Sequence, residues 1–113
     1  MISSDRFNAY RIMWVLIMYD LPTETKKDRR NAQQFRKKIM EDGFQMFLFS
    51  KYLRHCVSRE NADVHIARVK KALPPYGTIG ILRITDKQFG DMEIYTNRKA
   101  MSTQAPVQQL ELF

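Results

Sequence analysis

The chain has 113 residues, one domain's worth, and a domain of this size buries only a modest core by itself. Its 19 Lys and Arg against 12 Asp and Glu leave a net charge of +7, which suits a nucleic-acid binder or a solvated basic surface. The single cysteine, Cys56, excludes an internal disulfide framework, matches no zinc-ligand spacing and points to a reducing cytoplasm, and no apolar run is long enough to span a bilayer.

Residues Met1 to Arg11 are polar without a clear period and read as a loose arm, or as an upstream start ahead of Met13. Ile12 to Tyr19 is continuously apolar. It runs into Tyr-Asp-Leu-Pro rather than a small-residue cleavage site, so it reads as a strand buried on both faces and not as a signal peptide. Thr25 and Asp28 have capping-box spacing, and Ala32, Phe35 and Ile39 recur at helical spacing up to a stop at Gly43. A first helix is therefore predicted from Thr25 to Asp42.

Phe44 to Cys56 is rich in aromatic residues and reads as a long strand, bent or split near Ser50 to Tyr52. Ala62, Ile66, Val69 and Leu73 share one helical face, so a second helix covers Asn61 to Leu73 and ends at Pro74 and Pro75. Thr78 to Ile84 is the next strand. Thr85 to Asp91 is turn-like with Phe89 folded inward, Met92 to Tyr95 is a short strand, and Thr96 to Gln109 is a linker before an apolar end. The order matches an α+β, ferredoxin-like βαββαβ sandwich over residues 1–95, with both helices on one sheet face. The other face needs cover, and a second copy of the chain supplies it most simply, which predicts a homodimer.

Two sets of residues can carry chemistry. Asp20 directly follows the buried strand, and Pro22 stops the chain from continuing the ladder. A carboxylate there can hold a hard cation such as Mg²⁺ or Mn²⁺, better as a pair across a dimer axis; an acid that caps the turn or pairs with a lysine is the plainer reading. The second set is Lys26, Lys27, Arg29, Arg30, Arg36, Lys37 and Lys38, seven cations in thirteen residues interrupted by one acid, Asp28. These charges cannot all be paired internally, so the helix surface attracts phosphates. Cys56, His55 and His65 read as structural, and the aromatic residues of Phe44 to Tyr52 read as core in preference to base-stacking groups.

Taken together, IMWVLIMYDLP, TETKKDRR, GFQMFLFSKYLRHC and the stretch from SRENADVH to ITDKQF resemble the CRISPR-associated protein two family over Met13 to Phe89. The likeness is strongest to members found beside single-protein effectors. YDLP is a weak signal alone, whereas its combination with KYLR, LPPYG and ILRITDKQ is specific. The resemblance implies a ferredoxin-like homodimer that holds duplex DNA and bridges dimers of the Cas-one integrase during spacer acquisition. It also implies a metal-dependent endonuclease acting on RNA or DNA, whose metal-site acid falls on Asp20. The family's basic residues fall on Lys26, Lys27, Arg29 and Arg30, and a late DNA-contacting pair on Arg98 and Lys99. The terminal segment is expected to dock on a partner protomer or the integrase through Val107, Leu110, Leu112 and Phe113. A stand-alone ribonuclease toxin of the same fold is the rival reading, with an antitoxin in place of the integrase as partner.

Overall fold

The structure is a computed structural model that describes residues 11–101. The candidate docking residues Val107, Leu110, Leu112 and Phe113 lie outside the described residues, as does the arm before Arg11. The order of elements is β1 (Met13–Asp20), α1 (Lys26–Glu41), β2 (Gln45–Leu48), β3 (Lys51–Cys56), α2 (Arg59–Lys71), β4 (Thr78–Thr85), α3 (Asp86–Gly90), β5 (Ile94–Thr96) and β6 (Lys99–Met101). The first four strands form one antiparallel sheet in the order β2-β3-β1-β4, with β1 paired on both sides. That is the topology the βαββαβ order predicts.

The central position of β1 explains its unbroken apolar run. Met13, Val15 and Ile17 face α1 and α2, where they meet Phe35, Ile39, Ala62, Ile66 and Val69. Trp14 and Leu16 point to the other face, and all five β1 residues are buried. The sequence must therefore be apolar at consecutive positions, because neither side of this strand sees water.

Helix α1 begins where its caps dictate. The Thr25 hydroxyl accepts from the Asp28 backbone N–H at 3.0 Å, and the Asp28 carboxylate accepts from the Thr25 N–H at 3.2 Å. It ends at Asp42, followed by Gly43 with φ +96°. A Cβ on Gly43 would sit 3.0 Å from Nε of Arg54, so this position serves both a left-handed turn and the close approach of that guanidinium. The predicted break in the second strand falls at Ser50, whose φ of 61° turns β2 into β3.

The helix-free face is less bare than the sequence suggests. Residues Thr85 to Asp91 form a short helix, not a simple turn, capped by a reciprocal Thr85 and Gln88 box. It carries Phe89 inward to stack on Trp14 at a centroid separation of 4.5 Å, while the Trp14 indole donates to Asp86 at 2.7 Å. Phe89, Phe47 and Met92 thereby cover Trp14, Leu16 and Leu53 within the same chain. The uncovered part lies toward the Asp20 end, where register places Met18 opposite Gly80 and Leu16 opposite Leu82. Leu82 is 47% exposed.

Residues 96–101, expected as linker, instead complete a hairpin. Asn97 and Arg98 have φ of 53° and 65°, the positive pair a two-residue hairpin turn requires. β5 and β6 pair only with each other among the described strands. A two-stranded ribbon is marginal without further cover.

Candidate functional site

The sheet topology sends the end of β1 into a loop that leads directly to α1, so Asp20 and the first basic residues are close in sequence. Asp20 is exposed and paired in register with Thr78 of β4. It shares the helix-free face with Met18, Leu16 and Trp14 by strand alternation. Among the described residues its carboxylate has no hydrogen-bond or ion-pair partner, so the turn-capping and lysine-pairing readings find no contact here. Among the described residues, too, no three His, Cys, Asp or Glu side chains come together as a metal site. Mg²⁺ requires about six oxygen ligands in near-octahedral array. The described residues of one copy therefore do not by themselves fit the cation.

The basic cluster resolves into parts. Lys26, Arg29, Arg30, Gln33, Gln34 and Lys37 line a shallow groove of about 350 Å³ along α1. Their spacing of three and four residues puts them on one stripe, diametrically opposite the buried Phe35 and Ile39. The stripe holds four cations and no acid. Arg29 also donates to the Thr23 and Glu24 carbonyls at 3.0 and 3.2 Å, which ties the loop after Asp20 to the helix. Lys27 and Lys38 are exposed beside the stripe.

Arg36 departs from this group. Its Nε donates to the hydroxyl of the buried Tyr52 at 2.7 Å, so it serves the packing of α1 on the sheet. Tyr19 stacks on Tyr52 at 5.8 Å, and its hydroxyl donates to the Tyr52 oxygen at 3.5 Å. Burial first, and then this contact, hold the Tyr19 phenol well above its ordinary range. Arg98 and Lys99 are exposed in the turn and on the second strand of the β5–β6 hairpin, with no described element joining them to the α1 stripe.

A second constellation went unnoticed in the sequence. Asp42, at the end of α1, accepts from His65 Nδ1 at 2.7 Å and from Arg68 Nη1 at 2.8 Å, both on α2. Arg54 of β3 donates to the Asp42 carbonyl at 2.7 Å. Burial alone would raise the Asp42 carboxyl, but the bonds from His65 and Arg68 outweigh it and leave the group below its ordinary value. The one available signal was His65 itself, three residues after Ala62 and so on the packed side of α2. Burial likewise pushes the Cys56 thiol up, which fits a core residue and not a nucleophile.

The model of the family described as CRISPR associated protein Cas2 matches residues 13–92. This chain belongs to the Cas2 family. It is 56% identical over 108 residues to the CRISPR-associated endoribonuclease Cas2 of Flavobacterium psychrophilum, covering 96% of this chain and 94% of that protein. It is 46% identical over 101 residues to the protein of the same name from Parvibaculum lavamentivorans, covering 89% of this chain and 100% of that one. The Paracidovorax avenae endoribonuclease Cas2 is 39% identical over 105 residues. The Cas2 match begins with β1 and runs past α3, so it includes Asp20, the α1 stripe and the Asp42 network.

Proposed function

We propose that this Cas2-family chain is an adaptation subunit of a CRISPR system, acting in the cytoplasm as a homodimer that holds duplex DNA and bridges Cas-one integrase dimers. The observation that carries the nucleic-acid reading is the α1 stripe, with four cations, no acid and, among the described residues, no competing ion pair. Phosphates are the ligands such a surface fits, and each contact releases counterions. The uncovered stretch around Met18, Gly80 and Leu82, together with the lone β5–β6 ribbon, supports a second copy of the chain as the cover. Arg98 and Lys99 extend the basic surface in this reading, and Val107 to Phe113 serve as the docking segment for the integrase or the partner copy. The sequence motifs favour members that accompany single-protein effectors.

The relatives' name, endoribonuclease, supports cleavage of RNA, and the resemblance puts the acid for cleavage of RNA or DNA phosphodiester bonds at Asp20. Among the described residues one protomer offers Asp20 alone at this strand end, so the Asp20 residues of two protomers would together hold Mg²⁺ or Mn²⁺. The basic stripe holds the backbone and Asp20 supplies the acid group at the strand end. The rival assignment, a stand-alone ribonuclease toxin, shares the fold, and the combination of LPPYG and ILRITDKQ favours the adaptation subunit.

The stripe is tested by Arg30→Glu together with Lys37→Glu. Duplex DNA binding measured from low to moderate salt should weaken, and the plot of log K against log salt should flatten by about one unit for each lost phosphate contact. An unchanged slope would place the binding face elsewhere on the molecule.

A further inference from the structure

Most aromatic side chains of the Phe44 to Tyr52 stretch serve the core, as their spacing predicts, since Phe44 and Tyr52 are buried. Phe49 does not. It is 86% exposed at the β2–β3 turn. The chain spends a large apolar ring on solvent at a position where any turn residue would serve. A second exposed ring, Tyr76, lies before β4 and is 65% exposed.

The two rings lie at the same end of the sheet, one on each side of Asp20. On the β3 side the register pairs Met18 with Lys51, and the Tyr19 N–H donates to the Ser50 carbonyl at 3.1 Å. Phe49 and Ser50 are the two turn residues between Leu48 and Lys51, so Phe49 lies at the tip of the β2–β3 hairpin beside the end of β1. On the β4 side Asp20 pairs with Thr78, two residues after Tyr76. Gly77 then presses this loop against the end of β1, since a Cβ there would lie 2.9 Å from the Asp20 carbonyl and 2.5 Å from Leu21 Cδ2. Its φ of +103° leaves the turn to glycine alone. Both rings therefore lie on loops that flank the end of β1, one on either side of it.

The charge around them suits a polyanion. Lys51 reaches back to the Phe49 carbonyl at 3.4 Å, and Lys26 and Lys27 open the helix that follows the Asp20 loop. Against these stand Asp20 and Glu24. Exposed rings set among cations are what a single strand of nucleic acid needs, because an unpaired base has a free face to stack while paired bases inside a duplex are already covered on both.

We infer that Phe49 and Tyr76 form a stacking platform for unpaired nucleotides on either side of Asp20, distinct from the α1 stripe that meets duplex backbone. This inference rests on the nucleic-acid reading above and adds to it two residues that select unpaired over paired nucleotides. The ligand it fits is an unpaired strand, whose bases each keep a free face for stacking.

The test uses the full chain and three variants, Phe49→Ala, Tyr76→Ala and Phe49→Trp. Fluorescence anisotropy with a labelled 12-nucleotide oligo-uridine and with a blunt DNA duplex, at one fixed salt concentration, reads the two ligand states. Each alanine variant should lose roughly 5- to 150-fold in affinity for the single strand, the range of one base stack, and change duplex affinity less than about twofold. Phe49→Trp should retain single-strand binding. Its indole emission should be quenched by the oligonucleotide, since the chain's one natural tryptophan, Trp14, is buried. Unchanged single-strand affinity in both alanine variants, or an equal loss for duplex and single strand, would overturn the platform while leaving the proposed function standing. Loss of the dimer in sedimentation would show that the rings are a protein interface and would also overturn it. A wild-type chain that binds neither ligand would remove the proposed function and the platform with it.

Discussion

Replacing Asp42 with alanine should destabilise the fold, because one carboxylate joins α1 to α2. His65 lies under it with a side chain only 6% exposed, so that bond is shielded from water. A hydrogen bond to a charged group is worth about 1.5–3 kcal/mol, and the buried imidazole would lose its partner as well. The Arg68 side chain is 60% exposed, which confines its share to about 0–1 kcal/mol. The expected loss is therefore about 2–4 kcal/mol, most of it through His65. For a domain of this size that lowers the melting temperature by at least about 8 °C. Thermal unfolding should be followed by circular dichroism at equal protein concentration, since dimer formation would make the midpoint concentration-dependent. Arg68→Ala should cost under about 1 kcal/mol in the same assay. The folded Asp42 carboxyl titrates below its ordinary value of 3.8, so its stabilisation is fully present above that pH and is lost as pH falls through the folded value. The gap between wild type and Asp42→Ala should accordingly close in strong acid. A drop of less than about 2 °C at neutral pH, or a gap that widens in acid, would refute the network as a stabilising device.

Asp20→Ala should abolish any Mg²⁺-dependent cleavage of RNA or DNA while leaving duplex binding within about twofold, because the backbone contacts come from the α1 stripe; full cleavage by the purified variant would remove Asp20 from the mechanism. Leu82→Glu should shift sedimentation from dimer to monomer with little loss of secondary structure, since Leu82 is already half exposed in the single chain; an unchanged dimer would place the interface elsewhere. Gly77→Ala should cost about 1–3 kcal/mol in chemical denaturation, because the left-handed φ and the approach to the Asp20 carbonyl both resist a Cβ; a neutral result would mean that the loop relaxes away from β1.

The order of strands and helices could be read in the sequence because each element advertises a local period. The apolar run of β1 reports burial on both faces. Phe35 and Ile39 report one helix face, and Thr25 with Asp28 and Gly43 mark the two helix ends. These are consequences of backbone geometry over a few residues, and they need no knowledge of distant contacts. The place of Asp20 after the apolar run marked it as an acid of interest, the resemblance gave it a metal-site role, and the density of Lys and Arg between residues 26 and 38 marked a strongly basic helix surface.

What the tertiary structure decided was which of these groups act together. Arg36 belongs to the same charge run as Arg30, yet it bonds Tyr52, because helical phase aims it at β3. Residues Thr85 to Asp91 look polar and turn-like, yet they wind into a helix so that Phe89 can close over Trp14. Asp42 and His65 are 23 residues apart and neither stands out alone. Phe49 and Phe44 look alike in one aromatic stretch, but only the bulge and turn of the β2–β3 hairpin put one ring in water and the other in the core. Pairing across a sheet and packing between helices depend on register and crossing geometry, which chain-local periodicity does not encode. For that reason the sequence determined the elements and the sign of the surface charge, while the fold alone brought Phe49, Asp20 and Tyr76 to one strand end.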